Sequence, residues 1–174
     1  VDDLEEDRAI IFLTRGGLMK RTRLSEFSNP RAGGVIASGV RKGDEIFDVV
    51  LSDGKAEVLV FSRGGRAIRF PEDQISLLGR TAQGMKGMGL KGDDVAVGLL
   101  LVRRDAQVLT VTEMGIGRRT PLDEFPRQNR GGAGDPGPAR RGRGRRPGLG
   151  PGGGGGGRAH DRFRRRKRLQ GEGR

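Results

Sequence analysis

Apolar residues in this chain fall in short blocks separated by glycine. Ala9-Ile-Ile-Phe-Leu-Thr14, Ile46-Phe-Asp-Val-Val-Leu51 and Ala56-Glu-Val-Leu-Val-Phe61 are such blocks, as are residues 95–102 and 106–112. Their length and β-branched content predict strands, and 33 glycines argue against long helices. The blocks are continuous more than alternating, which suits strands buried on both faces between packed sheets. Arg15-Gly16-Gly17 reads as a turn that needs positive φ, with Leu18-Met-Lys-Arg-Thr22 as the returning strand. A second hairpin is expected from residues 46–51 and 56–61 around Ser52-Asp53-Gly54. A third is expected from 95–102 and 106–112 around Arg103-Arg104-Asp105.

Internal repetition organises these pieces. Phe12-Leu-Thr-Arg-Gly-Gly-Leu-Met-Lys-Arg-Thr22 recurs as Val60-Phe-Ser-Arg-Gly-Gly-Arg-Ala-Ile-Arg-Phe70 and as Val111-Thr-Glu-Met-Gly-Ile-Gly-Arg-Arg-Thr120. Gly17, Gly65 and Gly115 are 48 and 50 residues apart, and Arg41-Lys42-Gly43-Asp44-Glu45 is answered by Lys91-Gly92-Asp93-Asp94. Leu24-Ser-Glu-Phe27, Pro71-Glu-Asp-Gln-Ile75 and Pro121-Leu-Asp-Glu-Phe125 each predict a short helical turn, with acids near its start and, in the last two, a leading Pro. Glycine-rich loops follow at residues 31–34, 80–87 and 127–134. Four short strands at a period near 50 residues predict an all-β, bladed, propeller-like architecture of roughly three blades.

Charge changes the picture only once it is located. The 174-residue chain is formally +12, but residues 1–134 hold 21 basic and 19 acidic side chains, whereas 135–174 hold 13 and 3. Residues 1–8 are acidic and read as a solvated linker, and residues 8–134 carry a net +7. Within the repeats the basic residues recur at fixed places: Arg15, Lys20, Arg21 and Arg23, then Arg63, Arg66 and Arg69, then Arg118 and Arg119. A circular architecture places equivalent positions around one perimeter. A curved track of cations suits phosphates more than bases, and binds with little sequence preference and steep salt dependence. A bladed scaffold for protein, with its cations serving solubility, is the competing class.

Several chemistries are excluded. The chain has no Cys, Tyr or Trp, and His160 is its one histidine, so no disulfide, tyrosyl–DNA link, Ser-His-Asp site or multi-histidine metal site can be assembled from it. No catalytic residues, metal ligands or cofactor site are expected in this chain. Gly87-Met-Gly-Leu-Lys-Gly92 matches G-x-G-x-x-G but lies between loop and strand with no following helix, and reads as a blade-linking loop. Phe12, Phe47, Phe61 and Phe70 suit a core more than a base-stacking platform. No apolar run reaches the ~18 residues of a membrane span, and a chain opening on Val reads as a fragment or internal segment.

These repeats, above all Val60-Phe-Ser-Arg-Gly-Gly65, Arg80-Thr-Ala-Gln-Gly-Met-Lys-Gly87 and residues 108–125, closely resemble the C-terminal domains of DNA gyrase A proteins over residues 8–134. The related topoisomerase IV proteins have similar blades. The resemblance implies a β-pinwheel: a disc of blades with strands exchanged between them, whose basic rim wraps duplex DNA to support negative supercoiling. It also implies a parent enzyme that uses ATP and magnesium elsewhere, assembly with the rest of gyrase A and with gyrase B, and a cytoplasmic, chromosome-associated location. That family carries a wrapping motif, Q-R-R-G-G-K-G, in its first blade. Gln128-Asn-Arg-Gly-Gly-Ala-Gly134 is the nearest match; it lacks the Lys and follows a late blade, which makes Arg130 a weaker analogue.

Residues 135–174 break the repeat, with 13 glycines and 5 apolar residues in forty, and are expected to be a disordered Gly/Arg-rich tail. A frameshift near residues 133–136 would also account for them. With synonymous codons chosen freely, residues 159–173 shifted by one nucleotide read Leu-Met-Ile-Val-Ser-Ala-Gly-Gly-Asn-Val-Tyr-Arg-Val-Lys, which has the form of another blade strand and turn.

Overall fold

The computed structural model describes residues 8–30, 32–102 and 106–137, so residues 1–7 of the expected 1–8 linker and residues 138–174 of the expected tail lie outside the described residues. The strands are β1 (Ala9–Thr14), β2 (Leu18–Arg23), β3 (Ile46–Ser52), β4 (Glu57–Ser62), β5 (Arg66–Pro71), β6 (Met85–Lys86), β7 (Ala96–Val102), β8 (Gln107–Val111), β9 (Gly117–Pro121) and β10 (Asp135–Pro136). Short 3-10 turns occur at Leu24–Phe27, Glu72–Gln74 and Leu122–Glu124, where the sequence predicts them. The fold is all-β and bladed, as expected.

Sheet order is β3-β1-β2-β6 in the first blade, β10-β5-β4-β7 in the second and β8-β9 in the third. The outermost strand beyond β2 comes from the loop after the second blade's hairpin, and the one beyond β5 from the loop after the third's. Strands are thus exchanged between blades.

The expected hairpins 46–61 and 95–112 do not form. A strand has two edges, and the tight Gly-Gly turns use one edge each of β1, β2, β4 and β5. β3 therefore takes the free edge of β1, and β7 the free edge of β4. Residues 53–56 are instead a crossing between blades, clamped by the buried Glu72. Its carboxylate accepts the Ser52 hydroxyl and the Ala56 N–H (3.2 Å), while its own N–H donates to the Ala56 carbonyl (3.2 Å).

The core lies between blades. Val58, Val60, Ile68, Phe70 and Ile75 of the second unit pack against Ile11, Leu13 and Met19 of the first. Leu59 and Ala67, on the opposite face of the same sheet, pack against Val108 and Phe125 of the third. Residues one apart on a strand point to opposite faces, so a sheet buried on both sides needs an unbroken apolar run. Among the described residues the third blade is covered less than the others: Leu109 is 65% exposed, whereas its equivalents Ile11 and Leu59 are fully buried.

Candidate nucleic-acid interface

The hairpin turns are built alike. The hydroxyls of Thr14, Ser62 and Thr112 accept the N–H of Leu18, Arg66 and Ile116 at 3.1, 3.3 and 3.2 Å. Gly17, Gly65 and Gly115 then take φ near +80°. An aspartate straps the linking segment over the turn in the first two blades. Asp44 Oδ1 accepts the N–H of Gly16 and of Glu45, both at 2.8 Å, and Asp94 Oδ1 accepts those of Gly64 and Val95 at 2.8 and 2.9 Å. Burial pushes the Asp44 carboxyl up. The Thr14 hydroxyl, the Gly16 and Glu45 amides and nearby Arg41 outweigh it and hold the group below its ordinary 3.8.

This strapping brings Arg41 and Lys42 to the turn that carries Arg15, and Lys91 to the turn that carries Arg63. Arg15, Arg41 and Lys42 border a cleft of about 500 Å³ that Asp44 and Glu45 share. Arg15 is exposed, pairs with Glu45, and lies 5.2 Å from the centre of the Phe47 ring. Arg63 donates to the Asp93 carbonyl at 2.6 Å and approaches its carboxylate at 3.7 Å. Lys42 and Lys91 are exposed, and neither belongs to the set expected from the sequence. The repetition of their segment was legible; its attachment to the turns rests on side-chain hydrogen bonds between residues 28 to 30 positions apart.

Half of the expected cations hold blades together. Lys20 is buried, donates to the carbonyls of Gly79 (3.2 Å) and Arg80, and sits 5.1 Å from the Phe12 ring centre. Burial lowers its pKa from 10.5, partly offset by Glu26. Arg21 Nε donates to the Ile75 carbonyl at 2.7 Å. Arg66 reaches the carbonyls of Ala133 and Gly134 at 2.8 and 2.5 Å. Arg69 pairs with Glu57 at 2.6 Å and donates to the carbonyls of Leu122 and Phe125 at 3.1 and 3.3 Å. Arg130 donates to the carbonyls of Gln74 and Lys86 at 2.7 and 3.1 Å. Each main-chain carbonyl so bound takes one of a guanidinium's five N–H donors away from a phosphate.

Arg23, Arg118 and Arg119 remain exposed on strands β2 and β9, and Arg118 lies 3.9 Å from Glu124. Of the weak wrapping-motif match, Gln128 donates to Asp135 at 2.7 Å and the Gly131 amide to the Gly87 carbonyl at 2.7 Å, so that loop is packed against the preceding blade. The 87–92 glycine segment buries Met88 in the core and runs into β7 with no helix, as a linking loop should. Among the described residues no cluster of His, Asp or Glu could hold a metal, and no helix is long and apolar enough to cross a membrane. His160 lies outside the described residues.

Comparison with known proteins gives one answer from three directions. Residues 9–53, 56–103 and 106–134 match the family described as DNA gyrase C-terminal domain, beta-propeller. The chain is 43% identical over 130 residues to the DNA gyrase A protein of Salmonella typhimurium, and 42% over 137 residues to that of Staphylococcus aureus. Those alignments cover 75% and 77% of this chain but 15% and 16% of the relatives. A solved C-terminal domain of DNA topoisomerase IV superposes with a TM-score of 0.73 at 30% identity, over 77% of this chain and 42% of that one. A solved DNA gyrase A C-terminal domain gives 0.70 at 28%, over 77% and 44%. The strand-exchanged blades, the repeated turn and these matches together make the chain a member of the DNA gyrase C-terminal, beta-propeller domain family.

Proposed function

We propose that this chain binds duplex DNA along the turn edge of its blades and bends it there, as the DNA-wrapping part of a gyrase A protein. The observation that carries the reading is the recurrence of cations at one end of successive blades, exposed Arg15, Arg41 and Lys42 on the first and half-buried Arg63 with exposed Lys91 on the second. Repeated point charges on a curved edge match a phosphate backbone better than any single ligand. The chain spans about 15% of the relatives it matches. Cleavage, ATP and magnesium therefore belong, on this reading, to the remainder of gyrase A and to gyrase B, in the bacterial cytoplasm on the chromosome. A topoisomerase IV parent is the second reading, favoured by the similar superposition on that enzyme's domain.

Mobility shift of linear duplex under heparin competition tests binding, and a change of linking number in relaxed plasmid after ligation tests wrapping. No salt-sensitive shift would leave the protein-scaffold reading in its place. The unwrapped outcome, a shift without a linking-number change, would reduce the role to simple DNA binding.

A further inference from the structure

Each turn arginine of the first two blades is held by an acid that the repeat does not account for. Asp44 and Asp94 are equivalent residues: each accepts the amide of its turn's first glycine, Gly16 or Gly64, and the amide of the residue after itself. Directly beside that aspartate each strap carries one further acid, and the two stand on opposite sides of it, Glu45 after Asp44 and Asp93 before Asp94. The positions equivalent to them, Val95 and Gly43, carry no charge. Both acids nevertheless reach the same place in the blade. Glu45 pairs with Arg15, and Asp93 holds Arg63 through its carbonyl at 2.6 Å and its carboxylate at 3.7 Å.

These pairs differ from the ties between blades. Arg69 and Glu57 are about 20% exposed, and the Arg69 guanidinium also binds the carbonyls of Leu122 and Phe125. The Glu45 side chain is 65% exposed and that of Asp93 is 99% exposed. Water and salt screen such an open pair and hold it weakly, so a phosphate oxygen can take the carboxylate's place on the guanidinium. The strap lysines are different again. Lys42 and Lys91 are exposed and, among the described residues, make no ion pair. Each of these two blades thus presents one open cation and one occupied cation.

We propose that Glu45 and Asp93 set how tightly this edge holds duplex DNA: each occupies a turn arginine in the free chain, and a phosphate must displace it before that arginine contributes to binding. The inference rests on the DNA reading above. Contacts at Lys42 and Lys91 hold the backbone close by, which raises the effective concentration of phosphate at the occupied arginines. The guanidinium stays paired throughout the exchange, whereas the displaced carboxylate takes up a cation from solution. Each exchange therefore offsets one of the cations that the DNA releases.

Mobility shift of linear duplex by the 174-residue chain, between about 50 and 200 mM salt, tests this. Glu45→Gln and Asp93→Asn are each expected to tighten binding by a factor of roughly 2 to 5 at ~100 mM salt and to steepen the salt slope by about 1. Together they should steepen it by about 2. In an Arg15→Gln background, Glu45→Gln should leave the slope as it was, since no guanidinium is there to be released. Asp53→Asn is the control. It removes the same charge at the far end of β3, roughly 20 Å from the strap and beyond the ~10 Å reach of a charge at 0.1 M salt, and should change neither quantity.

Salt-sensitive binding by the wild type that the double variant leaves unchanged would overturn the proposal while the DNA reading stands. So would an equal gain from Asp53→Asn, or an equal gain from Glu45→Gln with and without Arg15. No salt-sensitive binding by either the wild type or the double variant would overturn both.

Discussion

Arg21 and Arg69 do the same work in successive blades. Each sits on the returning strand of a hairpin, opposite Ile11 and Leu59 respectively, and turns its guanidinium onto the carbonyl of the residue that ends the next unit's 3-10 turn. A charge-assisted bond to a carbonyl is stronger than a neutral one, and it crosses between units 48 to 50 residues apart. The cation that a charge count assigns to the DNA rim is here a tie between blades.

Replacing Arg69 by Met should therefore destabilise the fold by roughly 2 kcal/mol, because it removes the ties to Leu122 and Phe125 and leaves Glu57 to Arg127 alone. Arg21→Met, which strands no carboxylate, should lose about half as much. Urea unfolding midpoints at constant m-value measure both, and equal stability of wild type and Arg69→Met would contradict the assignment.

The exposed set should behave in the opposite way. Neutralising Arg15, Lys42 and Lys91 together by Gln should leave unfolding nearly unchanged and lower the slope of log K against log salt by roughly 2 to 3 units. An unchanged slope would remove these residues from the DNA interface.

Stability at alkaline pH should depend on Lys20. Its pKa is lower in the folded chain than the ordinary 10.5, so between the two values the unfolded state holds more proton and stability rises with pH. The Lys20→Met variant should lack that rise. Denaturation between about pH 8 and 11 compares them, and parallel curves would show that Lys20 does not contribute.

Asp44 governs the acid limb. Its contribution is present above 3.8 and is lost as pH falls through its lower folded value. Asp44→Ala should cost about 1 to 2 kcal/mol near neutral pH and flatten the fall in stability below pH 3.8, since both amides it caps would be left without that acceptor. Urea unfolding at a series of pH values checks this, and an equally steep acid fall in the variant would clear Asp44 of the role.

Gly84→Ala tests the closeness of the joint between blades. Positive φ alone costs about 1 kcal/mol for alanine, and the Cβ would also strike the Met19 carbonyl, so the loss should exceed that of Gly34→Ala, which has the same φ sign and open space. Equal losses in thermal unfolding would mean that strain, and not packing, limits both sites.

Much of this was legible in the residues. The turn at Gly17, the recurrence of its motif at Gly65 and Gly115, the 3-10 turns, the unbroken apolar strands and the repeat near 50 residues are local signals, and the structure has each of them. Strand partners were not legible for β3 and β7. Their neighbours along the chain, β4 and β8, are equally apolar, and only the competition for free sheet edges selects β1 and β4 instead. Glu72 is legible only as an acid at the start of a helical turn, since one carboxylate among 22 reads as solvated surface until a blade crossing closes over it.

Periodicity and turn chemistry act within a few residues, so the linear chain already dictates a repeat of short two-faced strands with cations at recurring positions. It also places most of the +12 outside the repeats. What each cation does is settled only when the blades assemble. Arg15 and Arg69 occupy similar basic stretches, yet one lies open at a turn and the other between two blades. The difference comes from which carbonyls and carboxylates the next unit brings within hydrogen-bonding distance. That depends on strand exchange between segments about fifty residues apart, which no local pattern encodes.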